Sequence, residues 1–162
     1  MPITPLHSMS HPAVLFAGQG SEWQSIIASA TQTPATAQRL QEVLSQARTL
    51  IAPVARTVSS SGPGAAERLK QLIGGKADRE LGDVLPAVSI PGIVLGQIAA
   101  IEQLRDLGID IDERAGHSQG SLGALAVDKP VEALALAILM GTASTAVNGT
   151  DPRSQMLSVR GL

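Results

Sequence analysis

The chain has 162 residues, 44% hydrophobic and 16% charged, with a formal net charge of −2, which suits one globular domain with a sizeable core. It has no cysteine and two aromatic residues, Phe16 and Trp23. That composition excludes disulfides, thiolate catalysis and Cys-ligated metals, and it argues against the stacking surface and positive field of a nucleic-acid binder.

Residues 1–12 carry three prolines and no periodicity and read as a flexible tail; residues 13–162 are expected to form the domain. Ala13-Val14-Leu15-Phe16-Ala17 is a short apolar run ending at Gly18, the pattern of a strand buried on both faces. Gly18-Gln19-Gly20-Ser21 forms a tight turn, with Ser21 as N-cap and Gln24 in the capping-box position of a helix carrying Ile26, Ile27 and Ala30. From Ala35 to Val58, residues Leu40, Val43, Leu44, Ala47, Leu50, Ile51 and Val54 fall at helical spacing, and Pro53 is a point for a kink or break. Ser59 to Gly64 is a loop, and Ala65 to Ile73 a short helix stopped by Gly74-Gly75.

The stretch Ile90 to Leu107 is apolar almost all round, as a mostly buried helix would be. Ser89 serves as its N-cap, Pro91 lies in its first turn, and Gly108 ends it. A short strand follows, then Gly116-His117-Ser118-Gln119-Gly120 and a helix through Val127. Pro130 opens another helix to about Val147, Asn148 to Pro152 signal a turn, and Met156-Leu157-Ser158-Val159 starts a further strand. Strands alternating with helices imply an α/β layered fold with a parallel sheet. The N-terminus has no basic region followed by an apolar run, and no segment shows the long uninterrupted apolar run of a membrane span. A soluble cytoplasmic protein with no membrane or nucleic-acid partner is expected. His7, His11 and His117 show no metal spacing with carboxylates, so no metal site is expected.

Gly116-His117-Ser118-Gln119-Gly120 contains Gly-x-Ser-x-Gly, the pattern of a nucleophile elbow. A strand turns sharply into a helix, with the serine at the apex in a strained conformation. Side chains at Gly116 and Gly120 would collide with the facing strand and helix. The competing reading of Ser118 is a helix cap. Gly18-Gln19-Gly20 follows an earlier strand, and two parallel strands end on one sheet edge, where ligands bind. The first turn can there present a backbone N–H toward the serine of the second, as acyl chemistry requires for a tetrahedral oxyanion.

Phe16-Ala17-Gly18-Gln19-Gly20-Ser21 together with Gly116-His117-Ser118-Gln119-Gly120 resembles the acyl-CoA:acyl-carrier-protein transacylases. Ser89 to Ala100 narrows the resemblance to the N-terminal acetyltransferase domain of bacterial type I fatty acid synthases, and the similarity runs over about residues 13–161. It implies a hydrolase-like parallel-sheet core, with Ser118 as the nucleophile that takes an acyl group from coenzyme A. The backbone N–H groups of Gln19 and Gln119 would form the oxyanion hole, and His117, Gly18, Gly20 and Met140 would line the pocket. The partners implied are acyl-CoA, an acyl carrier protein and the remaining domains of a synthase, with no cofactor beyond the thioester substrate.

The chain departs from the family at three places. Ala17 stands where proline is frequent. Ser121 follows the elbow where malonyl-specific members carry glutamate, and the Pro130–Val147 helix has no Lys or Arg to pair a malonyl carboxylate. Both changes favour a neutral acyl group such as acetyl. The family's catalytic histidine follows an inserted ferredoxin-like subdomain, and the sequence to Leu162 contains neither. Because serine needs a base, the chain is expected to be the first part of the catalytic domain and inactive by itself. Two alternatives stand beside this reading. One is an α/β-hydrolase or thioesterase, whose His would follow the serine. The other is a non-catalytic folding or docking piece of a larger synthase.

Overall fold

The computed structural model describes residues 13–18, 22–58, 70, 73, 74 and 86–148. Within them lie strand β1 (Ala13–Phe16), helices α1 (Trp23–Ala30), α2 (Pro34–Val58) and α3 (Pro86–Asp106), strand β2 (Glu113–Gly116), and helices α4 (Gly120–Ala126) and α5 (Pro130–Asn148). The fold is mixed α/β and mostly helical, and its described sheet has two strands. β1 and β2 pair in parallel, Ala13 opposite Glu113 and Phe16 opposite Gly116, so the two glycine-containing turns leave the sheet on the same edge. The tail at 1–12, the loop at 59–64, the strand start at 156–159 and most of the helix expected at 65–73 lie outside the described residues; Lys70 and Ile73 of that helix are helical.

α3 is the organising element. It packs on α1, α2, α4 and α5, and Val94, Leu95, Ile98, Ala99 and Ile101 on it are buried almost completely. Two glycines shape its contact with α1. A Cβ on Gly92 would lie 2.6 Å from the Trp23 ring, and one on Gly96 3.0 Å from the Trp23 Cβ. The larger of the chain's two aromatic side chains therefore fits the core because α3 leaves a groove of hydrogen atoms for it. By length and composition α3 could cross a membrane, contrary to the expectation that no segment could; yet 67% of its apolar stretch is buried inside the fold, as in the core helix of a packed domain.

The structure moves several expected boundaries. α1 is preceded by Glu22, which makes no side-chain capping bond; Ser21 and the turn before it lie outside the described residues. α3 starts at Pro86, so Ser89 is an interior residue and not its N-cap. Proline is preorganised for the first helical position, and the hydroxyl of Thr145 on α5 accepts from the Ala87 N–H at 2.8 Å, satisfying a first-turn donor without Ser89. α2 continues through Pro53 to Val58. Its buried stripe is Leu40, Leu44, Ala47 and Ile51, whereas Leu50 and Val54 are half exposed. β1 is covered on one face and not on both: Phe16 is buried, and Leu15 is 75% exposed. Among the described residues, α4 packs on both strands.

Candidate functional site

β2 ends at Gly116, and the chain reverses into α4 within three residues. Ser118 adopts φ +55°, and among the described residues it is the one non-glycine in the left-handed region. That conformation costs a residue with a Cβ about 1–2 kcal/mol, and it persists where the surroundings fix it. Three interactions do so here. The His117 N–H donates to the Phe16 carbonyl at 3.2 Å, extending the sheet ladder by one bond. The Gly120 N–H donates to the His117 carbonyl at 2.9 Å, and the Ser121 N–H to the Ser118 carbonyl at 3.0 Å.

The flanking glycines are required by contact. A Cβ on Gly116 would stand 2.1 Å from the Gly120 carbonyl oxygen, and one on Gly120 would stand 2.1 Å from that of Phe16. Both obstacles are backbone, so neither can swing aside. β2 folds against the start of α4, and α4 against the end of β1, because these two positions lack side chains. The result matches the elbow geometry expected from Gly-x-Ser-x-Gly, and it excludes an ordinary helix cap, which would leave Ser118 outside the left-handed region.

The first glycine turn meets the second at Gly18. Its Cβ position is 3.4 Å from the Ser118 Cβ, 3.0 Å from the His117 carbonyl oxygen and 3.6 Å from the Gln119 nitrogen. Ser118 and His117 are both exposed, so a solute can reach the hydroxyl. The turn's hydrogen bonds use the N–H groups of Gly120, Ser121 and Leu122; that of Gln119 takes no part in them and lies beside Gly18. Gln19 and Gly20, assigned to the oxyanion hole and the pocket wall, lie outside the described residues. Met140 is half exposed on α5. A Cβ on the neighbouring Gly141 would lie 2.6 Å from the Pro86 carbonyl oxygen at the start of α3.

Two buried amides hold this region together, and sequence reasoning gave neither side chain a role. The Gln119 Nε2 donates to the Ile90 carbonyl at 2.6 Å, although Gln119 was singled out for its backbone alone. The Gln97 Nε2 donates to the Ala17 carbonyl, also at 2.6 Å. α3 is thereby tied to both turns. The Gln97 Oε1 is buried without a hydrogen-bond partner among the described residues, and it lies 2.5 Å from the place of a Cβ on Gly123. An orphaned buried acceptor costs about 1–3 kcal/mol. The signal for Gln97 was present in the sequence: it is the one polar residue between Ile93 and Ile101.

No family model, curated protein or solved structure matches the chain. Among the described residues no group of three or more His, Asp or Glu side chains is arranged to hold a metal ion.

Proposed function

We propose that Ser118 is the acyl-accepting nucleophile of an acyltransferase, in which an acyl group, acetyl in particular, passes from coenzyme A to the serine and then to an acyl carrier protein in fatty acid synthesis. The observation that carries this reading is the exposed serine at φ +55°, placed between two close-approach glycines at the end of a parallel strand. A left-handed serine is an expensive way to make a turn that glycine makes freely. Its presence there is accounted for by a reacting hydroxyl.

In the reaction, the Ser118 Oγ attacks the thioester carbonyl. The Oγ–carbon bond forms, the carbon–sulfur bond breaks, and the coenzyme leaves as its thiol carrying the hydroxyl proton. A second thiol, that of the carrier, reverses the sequence. The Gln119 N–H, adjacent to the nucleophile, is a donor for the oxyanion, and by resemblance Gln19 supplies the other. His117 and Met140 belong to the pocket wall by the same resemblance, and the two-stranded parallel unit with its elbow would be the nucleus of a hydrolase-like core. The base that takes the proton is assigned to no described residue: among them His117 is the one histidine, and adjacent residues at such a turn point different ways.

Acetyl is favoured over malonyl by charge. α5 has no Lys or Arg, and burying a malonyl carboxylate without a cationic partner costs several kcal/mol. Because no described residue supplies the base, the proposal is tested on the complete catalytic domain, incubated with acetyl-CoA and malonyl-CoA and weighed intact. An acetyl adduct that disappears in Ser118→Ala is expected. Equal or preferential malonyl labelling would refute the choice of acyl group, and an adduct that survives Ser118→Ala would refute the nucleophile.

A further inference from the structure

Resting on that reading, we infer that Gln97 is a positioning residue for the nucleophile turn. Its Nε2 holds the Ala17 carbonyl at 2.6 Å, and it is 8% exposed within the apolar helix α3. The Ala17–Gly18 peptide is planar and trans, so its C=O and N–H point in opposite directions. Fixing the carbonyl inward on Gln97 fixes the Gly18 N–H outward and sets the direction in which the chain enters the Gly18 turn. Gly18 packs directly on the Ser118 Cβ and beside the Gln119 nitrogen. A rotation of that peptide therefore moves the wall against which a substrate carbonyl would lie.

The Oε1, which has no hydrogen-bond partner among the described residues, identifies this as more than packing. A hydrocarbon side chain of the same length would fill the site between Phe16 and Gly123 without stranding an acceptor. The amide is explained by its donor, and among the described residues its donor has one target, the Ala17 carbonyl. The assignment of Nε2 and Oε1 follows from that target, since the reverse orientation would set two oxygens against each other.

The variant that separates positioning from packing is Gln97→Met, which keeps the length and removes both donor and orphan. Ser118 acylation by p-nitrophenyl acetate, followed by mass, is expected to slow by about 10- to 100-fold, the effect of a displacement near 1 Å. The melting temperature is expected to stay equal or rise, which a merely structural role would not give. Equal acylation rates in the two chains would overturn the positioning role alone. With the Gln97→Met comparison made in the complete catalytic domain, where the base is present, an unmutated domain that takes no acetyl group at Ser118 would overturn the nucleophile reading and this role with it. A second measurement needs no variant: by NMR, the Gln97 side-chain amide protons are expected to exchange slowly with solvent. Fast exchange would show that the bond to Ala17 does not persist and would overturn the inference.

Discussion

Among the described residues two positions have positive φ, and they stand at opposite kinds of place. Gly108, at φ +73°, ends α3. The Gly108 N–H reaches the Arg105 carbonyl at 2.9 Å and the Ile109 N–H the Leu104 carbonyl at 3.0 Å, the paired bonds of a Schellman cap. Nearby, Arg39 of α2 contacts Glu102 at 2.6 Å and Asp106 at 2.9 Å, and Thr36 donates to Asp106. Residue type and conformation agree there. At Ser118, φ +55° is imposed on a residue that resists it, and a buried acceptor nearby goes unpaired. Backbone conformation and residue type agree at Gly108 and conflict at Ser118, and a strained position is where function is expected.

The largest test of this contrast is Gly120→Ala. Its Cβ would meet the Phe16 carbonyl oxygen at 2.1 Å, so β1 and α4 must separate. A loss of about 3 kcal/mol or more is expected in chemical denaturation; wild-type stability would show that the elbow is not packed on β1. Gly108→Ala is expected to cost less, about 1 kcal/mol, because its Cβ would meet nothing within 4 Å and the penalty is conformational only. Ser118→Gly sharpens the comparison by reversing the sign. Removing the Cβ relieves strain, and after the added entropy of glycine the chain should gain roughly 0.5 kcal/mol, while losing its acyl-accepting group. A chain destabilised by this change would mean that Ser118 is held in place by favourable contacts and not forced there.

The sequence made the Ser118 turn legible because it depends on local chemistry: glycines at fixed offsets around a serine, between a strand and a helix. The parallel pairing of β1 with β2 followed from requiring the chain after each strand to leave by the same edge, and Gly108 was readable as a stop because glycine takes the left-handed conformation at a helix end most easily. What escaped was set by tertiary contact. Ser89 has the chemistry of a cap, but Thr145, 56 positions along the chain, supplies the oxygen that the α3 start uses. Leu15 reads as core, yet α4, which packs on both strands, covers the opposite face. The role of Gln97 depends on Ala17, 80 positions away, which no spacing rule could reveal.

The central claim, that the left-handed serine is there to react, is tested most directly by locating, by peptide mapping, an acetyl group transferred from acetyl-CoA to the complete catalytic domain. Ser121 is the natural internal control: it lies three residues on, is exposed like Ser118, and its hydroxyl donates to the Gly116 carbonyl at 3.3 Å. The account predicts acetyl on the peptide at Ser118 and none at Ser121. Acetyl spread over both serines, or absent from Ser118, would contradict it.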